Sequence, residues 1–127
     1  MELNEYQNRA MQTCMSTSDN LLYMLTNLMG EVGEFAGKIA KHVRKGQLFV
    51  VTTDSRDDEG NILHSHVMNI SDNEKMDLVY ELGDCLWQLA GLCHVMGISL
   101  DRIAILNLEK LASRKRRGVI DGSGDER

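Results

Sequence analysis

The chain has 127 residues, 43% of them apolar and 26% charged, a composition that suits one globular domain and excludes a disordered chain. Proline is absent, aromatics reach only 5% and methionine numbers eight, which favours helices with short connections over a sandwich of strands. A formal net charge of −5 removes general nucleic-acid affinity as the default expectation.

The opening, MELNEYQNRA, has no basic segment followed by an apolar one, so it reads as a first helix and not as a secretory signal. That helix is expected over 2–15, with Leu3, Tyr6, Ala10 and Cys14 on one face at steps of three and four. The segment STSDN (16–20) then supplies N-cap candidates for a long second helix over about 19–45. Its apolar stripe is Leu21, Leu25, Leu28, Val32, Phe35, Ile39 and Val43, and Gly46 is the expected stop. Three glycines, Gly30, Gly33 and Gly37, interrupt it, each costing about 1 kcal/mol relative to Ala. The expectation is that they thin the helix so that a neighbouring helix or the substrate can approach closely.

Residues 47–70 form an insertion in which LFVVT and ILHSHVMNI flank the acidic turn DSRDDEGN, the pattern of a β-hairpin or flap. A lone hairpin is marginal in water, so it is expected to pack on the helices or on a second subunit. The third helix starts at SDNE, where Ser71 and Glu74 have capping-box spacing, and runs to about Met96 before Gly97. Ser99 caps a fourth helix that ends by Gly118, and the tail VIDGSGDER is too rich in Gly and Asp to continue it. The whole reads as an all-α domain over 1–127, a bundle of about four helices with a hairpin-like insertion between helices two and three.

No run approaches the roughly 20 apolar residues that span a bilayer, so no membrane partner is expected. Of three cysteines, Cys85 and Cys93 share a helix about 12 Å apart at 1.5 Å per residue, too far for a disulfide. Free thiols and a cytoplasmic setting are the expectation. The methionines and Trp87 read as core filling.

Charge falls in stripes. On helix two, Asn27, Glu31, Glu34, Lys38 and Lys41 share a face; on helix three, Asp77, Glu81, Asp84 and Gln88 do. The rest of helix three is apolar nearly all round, which implies burial on most sides. Its acids therefore need pairing or a metal. Pairing, such as Glu34 with Lys38, is the ordinary explanation of one ExxE. If the two helices lie antiparallel, their acidic pairs can face one another and repel unless cations intervene, and oxygen ligands alone suit Mg²⁺ or Mn²⁺. A di-iron site would need Glu-x-x-His pairs, and none of His42, His64, His66 or His94 follows a Glu at that spacing. On helix four, Asn107, Lys110 and Arg114 offer an amide and two cations on one face. With the tail GSGD, whose backbone N–H groups suit phosphate oxygens, they point to phosphate binding.

Taken together, EVGE (Glu31, Glu34), ELGD (Glu81, Asp84) and the ending NLEKLASRKRRGVIDGSGDER resemble the MazG-like branch of the all-α nucleoside triphosphate pyrophosphohydrolases. The opening helix LNEYQNRAMQT is similar in a less specific way. Two departures stand out: Gly30 occupies a position where the fuller family form has Glu, and the insertion is longer than the usual connection.

The resemblance implies hydrolysis of an NTP or dNTP to the monophosphate and pyrophosphate in nucleotide-pool housekeeping. Glu31, Glu34, Glu81 and Asp84 would hold Mg²⁺, with Mn²⁺ a substitute. Lys38, Lys110 and Arg114 would stabilise phosphate charge, while Asn107, Gly124 and Asp125 would position the nucleotide. It further implies a homodimer or homotetramer. The alternative is a non-catalytic nucleotide-sensing or partner-binding bundle; nucleic-acid binding through RKRR ranks last, since the charge balance is acidic and no aromatic stacking platform accompanies it.

Overall fold

The computed structural model describes residues 1–121, apart from the side chains at 53 and 54. Gly124 and Asp125 lie outside the described residues. In chain order the elements are α1 (Leu3–Met11), α2 (Leu21–Arg44), β1 (Leu48–Arg56), β2 (Ile62–Met68), α3 (Asp72–Val95) and α4 (Leu100–Arg116). The chain is thus mostly helical, with a small two-stranded antiparallel sheet between α2 and α3. It divides into two compact units, Met1–Leu25 with Trp87–Arg127, and Thr26–Leu86.

Local chemistry sets the element ends. Asn20 caps α2, its Oδ1 accepting from the Tyr23 N–H at 2.9 Å. α1 ends earlier than its apolar pattern suggests, because Thr13 and Cys14 bond back to Ala10 and Met11 at three-residue spacing. The Thr13 hydroxyl also donates to the Ala10 carbonyl at 2.7 Å. Ser71 and Glu74 form the expected reciprocal box at the start of α3: Glu74 Oε2 accepts from the Ser71 N–H at 2.9 Å, and Ser71 Oγ accepts from the Glu74 N–H at 3.3 Å. Ser99 Oγ accepts from the Arg102 N–H at 3.2 Å and caps α4. Helix ends at Gly46 and Gly97 take positive φ, near 67° and 68°, where a side chain is disfavoured.

In the unit containing both termini, Ala90, Cys93 and Leu100 form a small core against which Tyr6, Met11 and Ile98 pack. Gln7 lies buried on α1 and ties three segments together. Its Nε2 donates to the carbonyls of Ala90 (3.3 Å) and Ile98 (3.2 Å), and its Oε1 accepts from the Leu100 N–H at 2.8 Å. Trp87 is half-buried, and its Nε1 donates to Ala10 O (3.2 Å) and Thr13 Oγ1 (2.9 Å).

Three expectations need correction. Methionine is not general core filling: Met24 is fully buried, whereas Met15, Met29 and Met96 are each about two-thirds exposed. α3 is not buried on most sides within the chain, since Val79, Leu82, Leu86 and Leu89 are exposed at steps of three and four. Nor do Gly30, Gly33 and Gly37 make room for a neighbour in the chain, because a Cβ added at any of them would meet nothing within 4 Å. Close approach occurs instead at Gly91, where an added Cβ would lie 2.2 Å from Met24 Sδ.

β1 and β2 pair from Leu48↔Met68 to Thr52↔His64, with an irregularity before Arg56↔Ile62. The turn is held by Asp57, whose carboxylate accepts from the N–H groups of Glu59 and Asn61 and from the Asn61 amide. The hairpin leaves Phe49 and Val50, on its opposite faces, exposed, while Leu48 and Val67 are half-buried.

Candidate metal centre

All the residues of the acidic cluster belong to the unit Thr26–Leu86. Steps of three and four residues on α2 place Glu31, Glu34 and Lys38 on neighbouring turns of one face. Glu81 comes from the first half of α3, one turn beyond buried Leu78. One carboxylate oxygen from each of Glu31, Glu34 and Glu81 lies within 4.8 Å of the other two. Glu81 is buried, Glu31 half-buried and Glu34 exposed, so the cluster opens to solvent on the Glu34 side.

Lys38 does not pair with Glu34 in the i,i+4 manner the sequence suggests. It crosses to α3, its Nζ 2.5 Å from Glu81 Oε1, and also donates to the Asp77 carbonyl at 3.5 Å. That carboxylate, together with Asp77 and Glu34, raises the Lys38 ammonium above its ordinary value. On the opposite flank, Asn27 Nδ2 donates to Glu31 Oε1 at 2.9 Å and orients that carboxylate. Cys85, one turn after Glu81, is a free thiol as its spacing from Cys93 suggests; burial raises its pKa, helped by the charges of Glu31, Asp84 and Glu81. The i,i+4 spacing from Glu81 was the sequence signal for this position beside the acids.

Asp84 is exposed and does not join the three clustered carboxylates. Next to the cluster, Lys38, Lys41, His42, Glu74 and Asp77 line a recess of about 120 Å³. His42 is buried there and its Nδ1 lies 2.9 Å from Gln47 Oε1. Asn107, Lys110 and Arg114 belong to the other unit, on α4. Asn107 and Lys110 are exposed, whereas Arg114 is buried, so the three do not form one solvated cationic face.

The cluster fits a small divalent cation. Mg²⁺ takes oxygens at about 2.1 Å in octahedral geometry, so its ligands stand roughly 3–4 Å apart, and the three carboxylate oxygens lie within 4.8 Å of one another. The donor set is all oxygen, and one member is a buried carboxylate already bonded to a cationic group. Soft-metal ligation by thiolate and imidazole has no such grouping among the described residues.

The family model described as the MazG nucleotide pyrophosphohydrolase domain matches residues 19–119, which include all the clustered acids. The "Gene 37 protein" of Mycobacterium phage L5 is 38% identical over 109 residues, covering 86% of this chain and 78% of its own. No solved structure gives a significant match. Among the described residues no single helix is long and apolar enough to cross a membrane.

Proposed function

The chain belongs to the MazG nucleotide pyrophosphohydrolase family, and from that premise we propose that it hydrolyses nucleoside triphosphates, NTP or dNTP, to the monophosphate and pyrophosphate. The observation that carries the reading is the convergence of Glu31, Glu34 and Glu81 from two helices, with Glu81 buried and salt-bridged to Lys38. Glu31, Glu34 and Glu81 would hold Mg²⁺, or Mn²⁺ in its place. Asp84, one turn on, would complete the set on rotating its side chain. A bound divalent cation supplies neutralisation of triphosphate charge, polarisation at phosphorus and a lower pKa for a water nucleophile.

The chain's own residues do the rest. Asn27 fixes the Glu31 carboxylate through its amide. Glu34, the exposed member, is the carboxylate best placed to orient a water arriving from solvent. Lys38 and, on α4, Lys110 and Arg114 would meet phosphate charge, including that on the pyrophosphate leaving group. Asn107 and the tail residues Gly124 and Asp125 would position the nucleotide.

Assembly into a homodimer or homotetramer belongs to the same proposal. α2 leaves Leu22, Leu25, Met29 and Val32 exposed at steps of three and four, Leu22 at 72% and Met29 at 70%. A stripe of that kind on a polar chain is the mark of a covered face. Size-exclusion chromatography with light scattering checks it: a monomer at micromolar concentration rules it out.

The deciding assay is pyrophosphate release from a panel of NTPs and dNTPs with and without Mg²⁺. Metal-dependent release from at least one substrate is expected, and none from any, by folded protein, removes the reading. Nucleotide-induced stabilisation without turnover would favour the non-catalytic nucleotide-sensing alternative.

A further inference from the structure

We propose that Lys38 is a built-in counter-ion of the carboxylate cluster, which holds Glu81 in the metal-free protein and leaves it when the divalent cation binds. The proposal rests on the metal-binding reading above and adds a second state to it.

Three carboxylates within 4.8 Å repel one another, and one of them is largely removed from water. A buried carboxylate without a cationic partner is strongly disfavoured. Lys38 is the cation that meets this need in the chain: its Nζ lies 2.5 Å from Glu81 Oε1, and the Glu81 side chain is only 11% exposed. The ammonium therefore holds the same carboxylate that a metal would use. The two occupants compete on electrostatic grounds, because a divalent cation bonded to Glu81 would stand a few ångströms from a fixed positive charge.

Lys38 also has somewhere to go. Its side chain is 40% exposed, and it borders the recess shared with Lys41, His42, Glu74 and Asp77. Nζ already touches the Asp77 carbonyl on that side at 3.5 Å. A lysine stem reaches either place by changing rotamers alone. Metal arrival would then deliver a freed ammonium beside the site, next to where phosphate charge must be met. A residue with this behaviour lowers affinity for metal in the absence of nucleotide and links metal binding to phosphate binding.

The test measures Mn²⁺ and Mg²⁺ affinity by calorimetry for wild type, Lys38→Gln, Lys41→Gln, Glu81→Gln and the double variant Lys38→Gln/Glu81→Gln. Glutamine can still donate to Glu81 without carrying charge. Lys38→Gln is expected to bind metal about tenfold more tightly, and Lys41→Gln markedly less so, since it removes a nearby charge that does not touch Glu81. In the Glu81→Gln background the effect of Lys38→Gln should largely vanish. Unchanged or weaker metal binding by Lys38→Gln overturns the proposal while leaving the metal site intact. Failure of wild type and Lys38→Gln alike to bind either metal overturns the metal-site reading and the proposal with it.

A measurement on wild type alone avoids any dependence on variant folding. Acetic anhydride labelling, read by mass spectrometry against Lys75 as an internal reference, should modify Lys38 several-fold faster once Mg²⁺ is added. Equal labelling with and without Mg²⁺, at concentrations where calorimetry shows binding, refutes displacement.

Discussion

Replacing Gly91 with Ala tests the packing of the terminal unit on one methyl group. Alanine is the better helix former, so propensity alone predicts a gain of about 1 kcal/mol for Gly91→Ala in the interior of α3. The structure predicts the opposite sign. The new Cβ would lie 2.2 Å from Met24 Sδ, 2.7 Å from its Cε and 3.3 Å from its Cγ. Ordinary contact between such atoms needs about 3.5–4 Å, so the whole Met24 side chain must move by more than an ångström. Met24 is fully buried, so no open space lies beside it. Overpacking of this kind costs about 1–3 kcal/mol; less the propensity gain, the net loss should be about 1 kcal/mol. For a domain of this size that lowers Tm by roughly 4 °C. Thermal and urea melts followed by circular dichroism at 222 nm read the effect. Met24→Ala opens a cavity that the alanine at 91 partly fills, so the two changes together should cost at least about 0.5 kcal/mol less than their sum. A Gly91→Ala protein as stable as wild type, or additive losses in the double variant, would show that this contact does not constrain the core.

Gln7→Leu should destabilise the chain by roughly 2–3 kcal/mol, because it strips partners from the buried Leu100 N–H and from two carbonyls; a loss under about 0.5 kcal/mol in urea melts would contradict the role assigned to it. Glu34→Gln and Glu81→Gln should each lower metal-dependent pyrophosphate release by about 100-fold or more with helical content intact, and retained turnover in both would displace the site. Glu74 is held below its usual value near 4.5 by the Ser71 N–H and hydroxyl. A group lowered in the folded state stabilises it above its unfolded pKa and loses that effect as the pH falls through the folded one. The Tm gap between wild type and Glu74→Ala should therefore narrow below about pH 4, and a gap unchanged at pH 3 would rule out the charged cap. Asp57 is lowered in the same direction, by the Asn61 amide and backbone, so NMR signals of the turn at 57–61 should hold through the ordinary aspartate range on acidification and shift only below it; their loss at higher pH would contradict the assignment.

Much of the architecture was legible because short-range chemistry decides it. Ser71 with Glu74, Ser99, Gly46 and Gly97 act within one helical turn, and each bounds its helix where spacing places it. The hairpin followed from two apolar runs around an Asp- and Gly-containing turn. The acidic residues were legible for the same reason: i,i+3 spacing fixes a shared face whatever the fold. α1 is shorter than its apolar periodicity suggests because the Thr13 hydroxyl competes for the Ala10 carbonyl, an interaction that periodicity does not register.

What the sequence by itself determined about this protein is its local order: four helices, their caps, the inserted hairpin and two acidic pairs whose pattern belongs to a known family. Only the tertiary structure decided which groups meet. It brought Glu81 rather than Asp84 to Glu31 and Glu34, sent Lys38 across to α3, and buried Arg114 and Gln7 while leaving most methionines in solvent. The physical reason is range. A cap or a helical face depends on residues within about four positions, whereas a salt bridge between positions 38 and 81, or a Cβ that α3 cannot carry at Gly91, depends on the azimuth and depth at which two helices pack.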